Sequence, residues 1–187
     1  MAQKRKDWNG LISGFKASDL VFLDESGCNT DMTRRYAYSL GGSRAVDSAP
    51  LSKPKNTTIL SSIQLDGTLR YTTFSGGTTV ERFKRYLETD LLPHLNGNSV
   101  LIMDNMKSHH AKAAKNLLDS SGIRYIYLPP YSPDLNPIEK LWSKVKAFLR
   151  KFKARTLDAL PNAIQNAFHS VTISDCSGWF RFCGYAL

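Results

Sequence analysis

Two stretches of the chain are apolar without interruption: Leu20-Val21-Phe22-Leu23 and Val100-Leu101-Ile102-Met103. Each is too short for a helix and shows no alternation, which is the pattern of a strand buried on both faces. Segments 35–40 and 57–65 predict further strands, and Asp66-Gly67 is a hairpin turn signal leading into another over 69–74. Strands in that order predict an antiparallel meander beside the first buried one. Downstream the period changes. Val80, Phe83, Leu87 and Leu91 recur at helical spacing within 78–92, residues 112–120 form a helix candidate closed by Gly122, and 123–128 read as a strand. Pro129-Pro130-Tyr131-Ser132-Pro133 is an extended loop, because proline has no N–H to give to a ladder. A long helix follows over 136–152, with Ile138, Leu141, Trp142, Val145, Phe148, Leu149 and Phe152 on one apolar stripe, and one more over 156–168. Strands first and βα alternation afterwards predict one mixed α/β domain over 19–187, preceded by a basic linker or short helix over 1–18.

Both apolar runs end in an aspartate, Asp24 and Asp104. Sites in open α/β sheets form outside the carboxyl ends of the parallel strands, so neighbouring strands would bring the two together. Like charges so placed call for a cation between them. A third carboxylate, Glu139, falls in the first turn of the long helix, with Asn136 as the expected N-cap and Pro137 at the first helical position. A capping-box role would also suit Glu139, but the proline-rich loop delivers this turn to a fixed place. Glu25 is expected on the opposite face of the strand from Asp24, and a turn context accounts for Asp134. Three carboxylates with few softer ligands suit Mg²⁺ or Mn²⁺ rather than zinc. Two such ions, about 4 Å apart, serve phosphodiester chemistry.

Charge points to the same substrate class. The 187 residues are 42% hydrophobic and 22% charged, a globular composition, and carry a formal net charge of +9, which favours a polyanion. Glu139, Ser143, Lys146 and Arg150 share one ridge of the long helix, so Lys146 and Arg150 are candidates for the DNA backbone, with Arg34 and Arg35 as weaker phosphate contacts. Lys140, Lys144 and Lys151 sit further round. Trp142 reads as core. No stretch approaches a membrane span, and the basic start has no apolar core behind it, so neither a membrane nor a secretory route is expected. Cys28, Cys176 and Cys183 are an odd set without a CxxC pair; they read as small buried hydrophobes in a reducing cytosol.

Three blocks then carry a resemblance: Phe22-Leu23-Asp24-Glu25-Ser26-Gly27; Met103-Asp104-Asn105; and Tyr127-Leu128-Pro129-Pro130-Tyr131-Ser132-Pro133-Asp134-Leu135-Asn136-Pro137-Ile138-Glu139. Together they resemble the catalytic blocks of mariner-superfamily DDE transposases, with the bacterial insertion-sequence branch the nearest in pattern. The 34 residues between Asp104 and Glu139 match that branch, as does the tail around Trp179-Phe180 and Cys183-Gly184-Tyr185. The resemblance implies an RNase H-like fold, two divalent ions held by Asp24, Asp104 and Glu139, and cleavage and strand transfer on transposon ends and target DNA. It also implies a homodimer when assembled on DNA, in the bacterial cytoplasm at the nucleoid. A histidine often stands where His109 does, which implies a contact to the scissile phosphate or an attacking water; the alternative is a plain helix-start histidine. Family members carry N-terminal helix-turn-helix modules, for which the residues before the first strand are too few. A helix-turn-helix subunit from an adjacent reading frame, a truncation or an excision would each account for that. The rival expectation is a catalytically silent DNA-binding remnant or accessory domain.

Overall fold

The computed structural model describes residues 2–34, 36–48, 50–51 and 54–185. Its strands are β1 (Leu20–Cys28), β2 (Thr57–Ile63), β3 (Leu69–Ser75), β4 (Val100–Met103) and β5 (Arg124–Tyr127), joined in one sheet in the order β3-β2-β1-β4-β5. β1, β2 and β3 form the expected antiparallel meander, while β4 and β5 run parallel to β1. The helices are α1 (Ala2–Ile12), α2 (Val80–Tyr86), α3 (Lys112–Ser121), α4 (Ile138–Phe152), α5 (Leu160–His169) and α6 (Ile173–Phe182). None of them is long and apolar enough to cross a membrane.

The two unbroken apolar runs lie at the centre of the sheet and feed two cores. Leu20 and Phe22 of β1 and Ile102 of β4 pack with Leu141, Trp142, Val145, Ala163, Ile164 and Phe180 from α4, α5 and α6. Val21, Leu23, Leu101 and Met103 face the other way, against Phe83, Tyr86 and Leu118 of α2 and α3. Period-two alternation therefore explains why these strands need no polar face. All three cysteines are free and buried in the first core, and Trp8 of α1 joins them there.

Several expectations are corrected. Residues 36–40 form no strand, and Tyr36, Tyr38 and Leu40 are exposed. The strands on either side of it in sequence, β1 and β2, pair directly with each other, so the alternating segment has no place in the ladder between them. The helix expected over 78–92 is α-helical only to Tyr86, then passes into a π-helical turn over Leu87–Leu91 and a 3-10 turn over Leu92–His94, where Pro93 precludes continuation. Asn136 is not a side-chain cap of α4, although its carbonyl accepts from Glu139 N–H at 3.1 Å. The tail signature around Trp179 is itself a helix, α6, opened by a capping box between Thr172 and Asp175. Gly122 does close α3, in the left-handed conformation that glycine adopts without cost.

Candidate active site

β1 and β4 are in register from Leu20 opposite Val100 to Leu23 opposite Met103, so Asp24 and Asp104 are the next residues on adjacent parallel strands. β4 stops there. β1 does not end at its aspartate, as the apolar run suggested, but continues to Cys28 along β2, with Asp24 opposite Ser61. The chain from β5 re-enters at the same end. Leu128 N–H donates to the Met103 carbonyl at 2.8 Å, and Asn105 Nδ2 donates to the Leu128 carbonyl at 2.7 Å. These bonds fix the root of the proline-rich loop beside β4. Its outer side is held by Arg5 of α1, which pairs with Asp134 and reaches Ser132, and by Tyr185, whose hydroxyl donates to the Leu135 carbonyl. The loop then delivers Glu139, exposed in the first turn of α4, to the ends of the two strands.

Asp24, Asp104 and Glu139 line one cavity of about 430 Å³, whose other walls include Asn105, the loop Leu128–Pro133 and Asn136. Among the described residues no lysine, arginine or histidine lines it. Three acids and no cationic side chain form a strongly negative hollow in a basic chain, a donor set that fits a hard divalent cation. The carboxylates share the cavity without converging on one point: among the described residues no three acidic, histidine or cysteine side chains stand close enough to hold an ion jointly. Like charges repel at this range, and each aspartate has turned to a donor of its own. Asp24 Oδ2 accepts from Trp142 Nε1 at 3.0 Å. Asp104 Oδ1 accepts from Met106 N–H at 3.0 Å and lies 2.8 Å from His109 Nδ1 as an ion-pair contact, the ring nitrogen's hydrogen bond going to the Asp104 main-chain carbonyl at 3.3 Å. One oxygen of Asp104 is thereby fixed and the other left uncommitted.

Their protonation differs accordingly. Asp24 is 9% exposed, and burial, aided by the charges of Asp104 and Glu139, pushes its pKa up to about 7 against the bonds from Glu25 N–H and Trp142. For Asp104 burial acts in the same sense, but the hydrogen bonds from His109 and Met106 outweigh it and hold the pKa below the ordinary value. A carboxyl raised from 3.8 to about 7 binds its proton more tightly in the folded than in the unfolded chain, so stability falls as pH rises through that window. Asp24→Asn keeps an acceptor for Trp142 and removes this cost. In EDTA the variant is expected to be more stable than the parent by about 1–3 kcal/mol at pH 8, the gain shrinking toward zero near pH 4. Thermal melts at the two pH values check it, and equal gains at both would refute the buried-charge account.

His109 is not where a phosphate contact requires it. Its side chain is 0% exposed, with the ring 4.4 Å from that of Phe83 in the α2–α3 core. Burial disfavours its charge, yet the bonds with Asp104 and Glu25 push its pKa up to about 9. Glu25 points away from Asp24, as strand alternation predicted, and meets His109 from the other side. Trp142 is core, 3% exposed, but is also the partner of Asp24. The signal was present: a buried indole N–H needs an acceptor, and Trp142 follows Glu139 by three residues on α4. Asn136 lines the cavity, 4% exposed, with its Oδ1 unpartnered.

Lys146 and Arg150 line a second hollow of about 460 Å³ with Gly27, Asn29 and Asp31, at the end of β1 beyond Asp24. Arg34 lies beside Arg150 and Tyr36 on the same flank. Arg35 lies outside the described residues. Lys144 is on another side of α4 and is paired with Asp175 of α6.

Residues 19–161 match the family described as DDE superfamily endonuclease. The Tc1 transposable-element transposase of Caenorhabditis elegans is 27% identical over 97 residues, which cover 50% of this chain and 36% of that protein. Among solved structures, a pre-cleavage Mos1 transpososome superposes with a TM-score of 0.82 at 18% identity, covering 97% of this chain and 58% of that one. The catalytic domain of Mos1 mariner transposase gives 0.72 at 16% identity over 96% of this chain and 85% of that one. A Mos1 paired-end complex with Mn gives 0.80 at 19% identity, over 95% and 57% of the two chains. At such identities the likeness is one of fold, and the mixed five-stranded sheet flanked by helices is the RNase H-like fold that the sequence predicted. The chain spans about a third of the curated relative and just over half of the transpososome chain.

Proposed function

This chain belongs to the DDE superfamily endonucleases, and on that premise we propose that it is the catalytic domain of a transposase that cleaves DNA and transfers the cut strand with divalent metal ions. The observation that carries this reading is one cavity lined by Asp24, Asp104 and Glu139, with no cationic side chain among its described lining residues, in a chain of net charge +9. Asp24, Asp104 and Glu139 are the residues that would hold one or two Mg²⁺ or Mn²⁺ ions. Bound there, such ions stabilise charge on the attacking and leaving oxygens of a phosphodiester displacement. The protein's share is positioning. Trp142 and His109 each fix one aspartate, and the proline-rich loop, tied down by Asn105, Arg5 and Tyr185, sets the place of Glu139. The 34-residue spacing from Asp104 to Glu139 and the Asn-Pro-Ile-Glu ending of the third block support the bacterial insertion-sequence branch. With it go a cytoplasmic setting and transposon ends as substrate. The paired-end Mos1 complexes support a dimer on DNA.

The test is nicking of supercoiled plasmid by the purified chain in Mg²⁺ or Mn²⁺ against EDTA. Metal-dependent nicking is expected. DNA binding without nicking under either metal would favour the silent accessory domain instead.

The flank of α4 gives a second test. Lys146 and Arg150 lie two and three turns beyond Glu139, about 10 and 16 Å along the axis, a reach that covers flanking phosphates. Lys146→Ala or Arg150→Ala should weaken binding to all duplexes alike and lower the slope of log K against log salt by about one each. Lys144→Ala should leave the slope near the parent's, since Asp175 already offsets that charge. If Lys144 counts as much as the other two, the helix contributes only diffuse charge.

A further inference from the structure

We infer that Glu25 and His109 form a buried brace that sets the orientation of Asp104, making both of them positioning residues for the proposed metal site. The inference rests on the reading of Asp104 as a metal ligand. Its ground is a line of three side chains crossing beneath the sheet ends. Asp104 Oδ1 is 2.8 Å from His109 Nδ1 and His109 Nε2 is 3.6 Å from Glu25 Oε2, both ion-pair contacts, while Nδ1 also hydrogen-bonds the Asp104 main-chain carbonyl at 3.3 Å. Both Glu25 oxygens and His109 Nε2 are buried with no hydrogen-bond partner. A carboxylate enclosed in the α2–α3 core with nothing else to meet is expensive, and a filler role does not explain it. The histidine is fixed from its backbone as well: its N–H donates to the Met106 carbonyl at 3.1 Å, and its carbonyl accepts from the Tyr127 hydroxyl at 2.9 Å. Phe83 closes over the ring.

The chemistry of the brace follows from which oxygen it holds. His109 Nδ1 and Met106 N–H both take Asp104 Oδ1, so Oδ2 is the oxygen left for the cavity. A carboxylate so held presents one oxygen in one direction without first losing rotamer freedom. Glu25 in turn keeps the imidazole from swinging by giving its far nitrogen an acidic neighbour. Partners that orient a metal ligand in this way change metal affinity by about 10–100-fold when removed. Reach alone would have allowed Glu25 into the cavity, but strand alternation places it on the other face from Asp24, under the site rather than in it.

The experiment uses the full chain with Mn²⁺ alone as the probe and no DNA. Removing only the imidazole would strand Glu25 uncharged-for in the core and could prevent folding, so the main variant changes both groups: Glu25→Met with His109→Leu. Replacing a buried ionic pair by apolar side chains of similar volume is often neutral or stabilising. The double variant is therefore expected to melt in EDTA at or above the parent's temperature, yet to bind Mn²⁺ about 10–100-fold more weakly. His109→Asn in the Glu25→Met background, whose amide nitrogen can take the place of Nδ1, should recover most of the affinity. Crystal structures of the metal-free variants give the second readout: the Asp104 carboxylate should turn from its position in Glu25→Met with His109→Leu and keep it in Glu25→Met with His109→Asn. An unmoved carboxylate with parental Mn²⁺ affinity in Glu25→Met with His109→Leu overturns the brace. A moved carboxylate, with Mn²⁺ affinity unchanged there and in Asp104→Asn, upholds the brace and overturns the reading of Asp104 as a ligand.

Discussion

Asp104→Asn is expected to lower metal-dependent DNA nicking by about three orders of magnitude, the equivalent of ~4 kcal/mol of transition-state stabilisation supplied through the metal. The geometry explains why so small a change should cost so much. Asp104 Oδ1 is occupied by His109 and Met106, so an asparagine can keep its oxygen in that place only by turning its NH₂ group toward the cavity, where Oδ2 had stood. A donor would then face the cation. The same replacement tests the electrostatics without metal. Relief of repulsion among three acids would by itself make Asp104→Asn more stable in EDTA. The depressed pKa of Asp104 gives the opposite sign: its ionised form is favoured in the folded chain, a contribution present above the unfolded pKa and lost as pH falls through the folded one. Asp104→Asn should therefore be less stable than the parent at pH 7 and converge on it in acid, the reverse of Asp24→Asn. Nicking assays under Mg²⁺ and Mn²⁺, with melts across pH in EDTA, read both effects. Retained nicking would remove Asp104 from the site.

What the sequence conveyed of this site and what it withheld have physical reasons. Asp24, Asp104 and Glu139 were legible because each follows a strong local signal: an unbroken apolar run ending in an acid, twice, and a proline-set helix start. Parallel pairing of β1 with β4, which turns those signals into one cavity, is a non-local fact that the apolar runs suggest but do not by themselves determine. The groups that hold the carboxylates were not legible. Trp142 and Asp24 are 118 positions apart, and nothing local distinguishes a core indole from one whose N–H meets an acid. His109 was a phosphate-contact candidate only through the family resemblance, and the turn after β4 carries it under the sheet. Segment 36–40 alternates like a strand, but β1 and β2 on either side of it pair directly with each other, and which strands pair is a property of the sheet and not of the segment. Asn136 has the composition of a cap, but its side chain lines the cavity.

Trp142→Phe should weaken the site from the Asp24 side. The ring occupies a slot against Phe168, 6.5 Å between centroids and nearly perpendicular, and phenylalanine fills most of it. What it cannot supply is the N–H held 3.0 Å from Asp24 Oδ2. A buried carboxylate that loses a donor is destabilised in its charged form, so the pKa of Asp24, already pushed up to about 7 by burial, should move higher still. Near neutral pH more of Asp24 would then carry a proton, and a protonated acid is a poor ligand. Loss of such an orienting partner is expected to reduce Mn²⁺ affinity and nicking by about 10–100-fold at pH 7, with a cost to stability of about 1–3 kcal/mol from the unpaired group and the residual void. The pH dependence separates this from a packing defect. Ionisation returns as pH rises, so the deficit of Trp142→Phe in Mn²⁺ binding should narrow between pH 7 and pH 9. A void in the core would reduce binding by the same factor at both. Parallel curves for parent and variant over that range would reduce Trp142 to a side chain that only fills space, and Asp24 would have to be oriented by the strand alone.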